Sequence, residues 1–299
     1  MIKKICIIGY GSIGKKHYNT IKKHFKHIDI FIISKHLIKK KNIYNNIEDI
    51  KKINPDYVII SSITKLHFSH LKLVNQLLYK KIILIEKPLF MKDHSYKSSR
   101  NKIYVGYNLR FHPVIQDVIK KIKNKKIFET HIYSGSYLPN WRKSNYSNSY
   151  SSKIQNGGGV KLDLSHELDY CLFLIGDYKV NYYINKKISN LNIKSDDYLT
   201  LVGKSSKGAF VNISLNYFSK ISTRSLIING NNFMIKADLI NNIMEYYSNK
   251  KIFKKKYPNN SLDISYFLMH QSIINNKFKF ISTIKDGLKV MKIIDCLKK

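Results

Sequence analysis

Arginine and alanine are nearly missing from this 299-residue chain: the arginines are Arg100, Arg110, Arg142 and Arg224, and the alanines are Ala209 and Ala237. Glycine and proline are sparse as well, at 13 and 5. The three cysteines, Cys6, Cys171 and Cys296, are too few and too far apart for a disulfide framework or a zinc site, so a reducing cytoplasm is the expected compartment. No run approaches 18 apolar residues, and the opening MIKKICIIGYG is too short for the core of a signal peptide. A membrane partner is therefore not expected. Acidic residues are also few: 19 Asp and Glu stand against 53 Lys and Arg, for a formal charge of +34.

A basic excess of that size raises an acidic partner such as nucleic acid. The distribution argues against it. All but four of the basic residues are Lys, scattered from Lys3 to Lys299 without a block, and Lys, Ile, Asn and Tyr abound where Ala, Gly, Pro and Arg are scarce. That is the pattern of A/T-rich codons, so most of the charge is background and no specific nucleic-acid partner is expected. The same drift lends weight to each surviving Arg, because only Arg offers a planar bidentate fork.

What the chain does hold is apolar material: 43% of residues are hydrophobic and 12% aromatic, and the length suits two domains. A nearly continuous apolar run in residues 3–8 is followed by Gly9-Tyr-Gly11-Ser-Ile-Gly14 and then by helical spacing. Further strands are predicted at Asp29–Ile33, Tyr57–Ile60, Ile82–Ile85 and Ile103–Val105, with a helix over His67–Leu78. Short buried strands alternating with helices imply an α/β domain over 1–113 with a doubly wound parallel sheet, ligands lying at the carboxyl ends of its strands. A helix over Val114–Ile122 then leads into consecutive β-type segments at Glu129–Tyr137, Tyr198–Gly203, Phe210–Tyr217 and Ser225–Ile228. They predict an α+β domain over 114–299 with a largely antiparallel open sheet and a last helix able to pack back on the first domain. Segments 143–156 and 248–260, rich in Ser, Asn, Lys and Tyr, read as exposed loops.

Gly9-x-Gly11-x-x-Gly14 sits between a strand and a helix, the context in which the pattern means dinucleotide binding. Glycines permit the tight turn and close backbone approach, and the helix N-terminus, with Ser12 and Ile13, faces the pyrophosphate. The second strand ends at Ser34-Lys35-His36, where an NAD enzyme usually shows an acid for the ribose hydroxyls. A hydroxyl and a cation there lean toward NADP over NAD. Glu86-Lys87-Pro88 follows the fourth strand, and Lys87 can exchange a proton with a substrate oxygen when burial and positive neighbours lower its pKa. After Gly157-Gly158-Gly159 a helix is expected in which Asp163 and His166, three apart, share a face, an arrangement that suits a proton acceptor. The spacing does not suit a metal, and none is expected.

Together the GYGSIG turn, Thr64-Lys-Leu-His67, Glu86-Lys87-Pro88, Asn108-Leu-Arg110-Phe-His112-Pro113 and GGG-x3-Asp-x2-His-x2-Asp resemble the Gfo/Idh/MocA oxidoreductases, glucose–fructose oxidoreductase, inositol dehydrogenase and relatives. The resemblance implies a Rossmann domain followed by a mixed domain whose open sheet mediates oligomerisation, and hence a homo-oligomer. It implies NAD(P)-dependent oxidation or reduction of a sugar or cyclic-polyol carbinol. Lys87 is then the expected catalytic residue, with His166 and Asp163 beside the substrate and Ser62, Thr64, His67 and Glu86 on the cofactor side. The family commonly has a proline where this chain has Ile63, and often spaces Asp and His by four rather than three, which leaves open whether Asp163 or His166 is the main proton acceptor.

Tyr137-Leu-Pro139-Asn-Trp141-Arg142 and the LDLSHELDY run look like a branch associated with surface-polysaccharide and nucleotide-sugar gene sets. The expected substrate is accordingly a sugar or nucleotide sugar of surface-carbohydrate biosynthesis. Arg110 and Arg142 are candidates for holding its carboxylate or phosphate, Trp141 for stacking on a pyranose face, and Tyr137 for lining the same site. The structural alternatives are that Arg110 pairs inside the hinge between the domains and Trp141 fills core. The rival reading is a non-catalytic nucleotide-binding sensor or scaffold of the same fold, against which the intact Lys87, Asp163 and His166 argue.

Overall fold

The computed structural model describes residues 2–35, 41–94, 96, 100–143 and 145–297. By its contacts the chain forms two units, Met1–Asn108 with Asp263–Met291, and Leu109–Leu262 with Lys292–Lys299.

In the first unit six parallel strands, β1 (Lys4–Ile8), β2 (Asp29–Ile33), β3 (Ile43–Tyr44), β4 (Tyr57–Ile60), β5 (Ile82–Ile85) and β6 (Lys102–Val105), lie in the order 3-2-1-4-5-6. A two-residue strand, Ser282–Thr283, pairs antiparallel at the β6 edge. Strands of a parallel sheet are covered on both faces, which is why β1 and β4 read as unbroken apolar runs and Ile5, Cys6, Ile7, Val58, Ile59 and Ile60 are buried. Helices α1 (Ser12–His24), α2 (Ile50–Ile53) and α3 (His67–Leu77) connect the strands. The strand order turns back between β1 and β4, the switch point where such sheets bind ligands.

The second unit opens with α4 (Pro113–Ile122), started by Pro113 and capped by His112, whose Nδ1 accepts the Val114 N–H at 3.3 Å. Its strands are β7 (Ile127–Gly135), β8 (Tyr178–Lys186), β9 (Tyr198–Ser205), β10 (Phe210–Asn216), β11 (Thr223–Gly230), β12 (Phe233–Asp238), β13 (Ile243–Ser248) and β14 (Lys251–Lys256). They form one sheet in the order 14-13-12-11-7-10-9-8, antiparallel throughout except for the pairing of β7 with β10. One face is covered and one is open: along β12, buried Phe233, Ile235 and Ala237 alternate with exposed Met234 and Lys236. Helices α5 (Val160–Asp163) and α6 (His166–Ile175) stand between β7 and β8 in the chain. The last helices of the chain, α7 (Ser261–Ile274) and α8 (Ile284–Cys296), belong for most of their length to the first unit.

Two expectations change. The segment 248–260 contains β14, whose six residues are all exposed; it is an edge strand held by its ladder to β13, with no burial pattern to betray it. The single helix expected after the three glycines is two, because Leu164 leaves helical geometry at φ −98°, ψ 32°. In segment 143–156, apart from Ser144, which lies outside the described residues, the chain makes short helical turns at Tyr146–Asn148, Tyr150–Ser152 and Ile154–Asn156.

Candidate active site

The glycine turn joins β1 to α1. Gly9 has φ +90°, and a Cβ on it would lie 2.7 Å from Ser62 Cα; a Cβ on Gly14 would strike the Gly9 carbonyl. Both are demanded by the turn itself. Gly11 differs: it has ordinary backbone angles, and a Cβ on it would meet no atom within 4 Å. The protein's own packing does not require that glycine, so the open space above it suits a ligand approaching the main chain. Gly11 caps α1 without a side-chain hydrogen bond, and no acid occupies the first turn, so the amides around Ser12, Ile13 and Gly14 suit an anionic pyrophosphate.

Around this turn stand the ends of three other strands. At the end of β2, Ser34 is buried and Lys35 exposed, while His36 lies outside the described residues. After β4, the Ser61 hydroxyl donates to the Gly9 carbonyl at 2.8 Å, Ser62 is half-buried and Thr64 buried. Ile63 occupies the proline position of the family with φ −65°, the angle a proline ring imposes. His67 is buried with Nε2 3.0 Å from the Ser62 carbonyl and Nδ1 2.9 Å from that of Pro88, so it ties the loop after β4 to the turn after β5. Burial, opposed by these carbonyls, holds its pKa below the usual imidazole value.

After β5, Glu86 is buried and its Oε1 lies 3.0 Å from His17 Nε2 on α1. Lys87 is half-buried, and the Lys87–Pro88 peptide is cis. His17 in turn meets His270 of α7. Sequence reasoning did not single out either histidine, and no spacing links two residues 253 apart.

In the second unit Asp163 is buried and accepts the Tyr217 hydroxyl at 2.6 Å and a hydrogen bond from Tyr150. Burial and the Asp163 charge push the Tyr217 phenol well up, and the Asp163 charge, followed by burial, raises Tyr150. Both phenols therefore stay protonated and donate. The Arg142 guanidinium lies over the Tyr150 ring at 4.8 Å, and Arg142, Asn145, Asn148, Ser149 and Tyr150 line a cavity of ≈ 180 Å³. Trp141 donates to the Ser136 hydroxyl at 3.0 Å and packs edge-on to Tyr217, and Lys220 covers the Tyr137 ring at 3.3 Å. His166, half-buried, begins α6. The Arg110 fork is bonded to Asp169 on α6.

Residues 3–99 match the Gfo/Idh/MocA family model, described as an oxidoreductase family with an NAD-binding Rossmann fold. The N-terminal domain is a Gfo/Idh/MocA Rossmann domain. The family is one of oxidoreductases, so the chain is an enzyme of the dehydrogenase or reductase type. No curated protein matches it by sequence. Among solved structures it is similar to the WlbA dehydrogenase from Bordetella pertussis in complex with NADH and UDP-GlcNAcA, at 16% identity and TM-score 0.80 over 99% of this chain and 94% of that one. A levoglucosan dehydrogenase in complex with NADH aligns at 15% identity and TM-score 0.84, covering 99% and 95%. The dehydrogenase MviM from Clostridium difficile aligns at 18% identity and TM-score 0.74, covering 99% and 97%. Similarity at these identities speaks to the fold. Among the described residues no helix is long and apolar enough to cross a membrane, and no group of three or more His, Cys, Asp or Glu is placed to hold a metal ion.

Proposed function

We propose that this oxidoreductase moves hydride between a nicotinamide and a carbinol or carbonyl carbon of a sugar, nucleotide sugar or cyclic polyol, in surface-carbohydrate biosynthesis. The observation that carries the cofactor half of this reading is Gly11, a glycine that the surrounding protein does not need. Gly9, Gly11, Ser12, Ile13 and Gly14 hold the pyrophosphate, Ser62 and Thr64 line the path at the end of β4, and Ser34 and Lys35 meet the adenosine ribose. A hydroxyl and an exposed ammonium, with no acid beside them, favour a 2′-phosphate and so NADP.

The bound nicotinamide supplies the redox chemistry. The chain supplies proton transfer, assigned to Lys87, with His166 as the second proton-handling group. Asp163, with two phenols donating to it, serves as a fixed charge rather than as the main acceptor. Arg142, with Asn145 and Asn148, binds a polar or anionic group of the substrate in the cavity that these residues line; Trp141 is assigned to stacking on a pyranose face and Tyr137 to the same substrate. The open face of the eight-stranded sheet, which exposes Tyr182, Phe210 and Ile252, packs against a second copy to make a homo-oligomer.

Fluorescence titration with NADH and NADPH, followed by a screen of nucleotide sugars and free sugars for reduced-cofactor production, tests this function. Lys87→Met is expected to abolish most turnover while cofactor binding survives. Undiminished turnover in that variant removes Lys87 from the mechanism.

A further inference from the structure

Four buried side chains form a single file in the first unit. Tyr57 of β4, His270 of α7 and His17 of α1 are 0% exposed, and Glu86 after β5 is 5% exposed. Tyr57 Oη lies 3.1 Å from His270 Nδ1, His270 Nε2 2.9 Å from His17 Nδ1, and His17 Nε2 3.0 Å from Glu86 Oε1. The second oxygen, Glu86 Oε2, accepts the main-chain N–H of Lys87 at 3.2 Å.

With both rings neutral, one arrangement of protons satisfies the whole file. A carboxylate only accepts, so His17 carries its hydrogen on Nε2 and presents a bare Nδ1. His270 Nε2–H donates to that atom, which leaves His270 Nδ1 bare for the Tyr57 hydroxyl. Every bond therefore points toward Glu86. Turning either ring to its other tautomer sets lone pair against lone pair or hydrogen against hydrogen, and leaves a buried polar group unpaired, which is strongly disfavoured. Burial, and then the His17 ring, hold His270 well below the ordinary imidazole range; burial, and then the Glu86 charge, hold the Tyr57 phenol well above its own. Gly106 also packs close against the carboxylate, where a Cβ would lie 2.9 Å from Glu86 Cδ.

The geometry points to a positioning function for this file: Tyr57, His270 and His17 fix the Glu86 carboxylate that anchors the main chain of Lys87, and thereby set how the Lys87 amine is presented. The inference rests on the reading of Lys87 as the catalytic residue, and it moves Glu86 from the cofactor side to a positioning residue.

Two measurements on the full chain test it without turnover. Long-range ¹⁵N–¹H correlation at about pH 8, with His17→Gln and His270→Gln for assignment, is expected to find both rings as Nε2–H tautomers. An Nδ1–H tautomer in either ring overturns the file. Competitive acetylation by acetic anhydride, read at Lys87 by peptide mass spectrometry against exposed Lys52, is expected to change by about threefold or more in His17→Leu. His17→Gln, which keeps a donor toward Glu86 and an acceptor toward His270, is expected to restore the original rate. Tyr57→Phe removes only the hydroxyl at the far end; it serves if His17→Leu fails to fold and is expected to shift the rate in the same direction by less. An unchanged Lys87 rate in the folded variants, or a change that His17→Gln does not reverse, overturns the proposal. If Lys87→Met keeps its turnover, the catalytic reading fails, while the tautomers and labelling rates still report on the file.

Discussion

Arg110 grips Asp169 with both arms of its guanidinium, Nε to Oδ2 at 2.9 Å and Nη2 to Oδ1 at 2.7 Å, and the two residues are 4% and 1% exposed. Two residues earlier on α6, Glu167 receives Arg224 Nε at 2.7 Å. Two of the four arginines thus hold the helix that begins with His166. A chain drifting toward Lys keeps Arg where a buried carboxylate needs a planar fork, since the compact, strongly hydrated ammonium of Lys cannot make the same pair of bonds.

Arg110→Met leaves the Asp169 carboxylate buried with its main counter-charge gone, and is expected to destabilise the protein by about 3–5 kcal/mol in urea unfolding. The double variant Arg110→Met/Asp169→Leu is expected to recover most of that loss. If the single variant unfolds like the original protein, the pair does not brace α6.

Gly11→Ala and Gly14→Ala separate ligand space from packing. A methyl at Gly14 strikes the Gly9 carbonyl and is expected to destabilise the fold by about 1–3 kcal/mol or more. A methyl at Gly11 enters open space, so thermal unfolding is expected to stay put while affinity for the dinucleotide that binds tighter, NADPH or NADH, drops by about tenfold, or about 1.4 kcal/mol. Undiminished binding of that dinucleotide by Gly11→Ala would place it elsewhere.

Ile63 already has the φ of proline, at −65°, and its side chain is 52% exposed. Ile63→Pro therefore restricts the unfolded chain more than it disturbs the folded one, and is expected to add about 0.4–1 kcal/mol of stability. A lower denaturant midpoint would mean that the Ile63 N–H or the angle of Ser62 resists the ring.

Burial, and then the Arg224 charge, lower the His112 pKa to about 4. The folded ring resists a proton that the unfolded chain takes up near 6.5, so between these values the unfolded state binds more protons. Stability from this group is complete above about pH 6.5 and drains away as pH falls toward 4, by roughly 3 kcal/mol in all. His112→Asn keeps an acceptor for the Val114 N–H without titrating there. Unfolding free energies at pH 7 and pH 5 are expected to differ less in this variant than in the original protein; equal slopes would take His112 out of the acid response.

The strands Asp29–Ile33, Tyr57–Ile60 and Ile82–Ile85 were legible to the residue, because a strand covered on both faces is an apolar run with polar ends. The glycine turn was legible for a related reason: the residue type records a backbone constraint acting at that very position. β14 was hidden because an exposed edge strand leaves no pattern of burial to read. Arg110 showed that an arginine was needed and not which carboxylate it would meet.

Taken alone, then, the order of residues determined the Rossmann half, its glycine turn and the place of Lys87 after β5, since each follows from periodicity or backbone freedom over a few neighbouring positions. Only folding decided that His17 would stand between Glu86 and His270, and that Asp163 would take hydrogen bonds from Tyr217 and Tyr150. Buried polar groups must find partners wherever packing brings them, and distance along the chain carries no record of that choice.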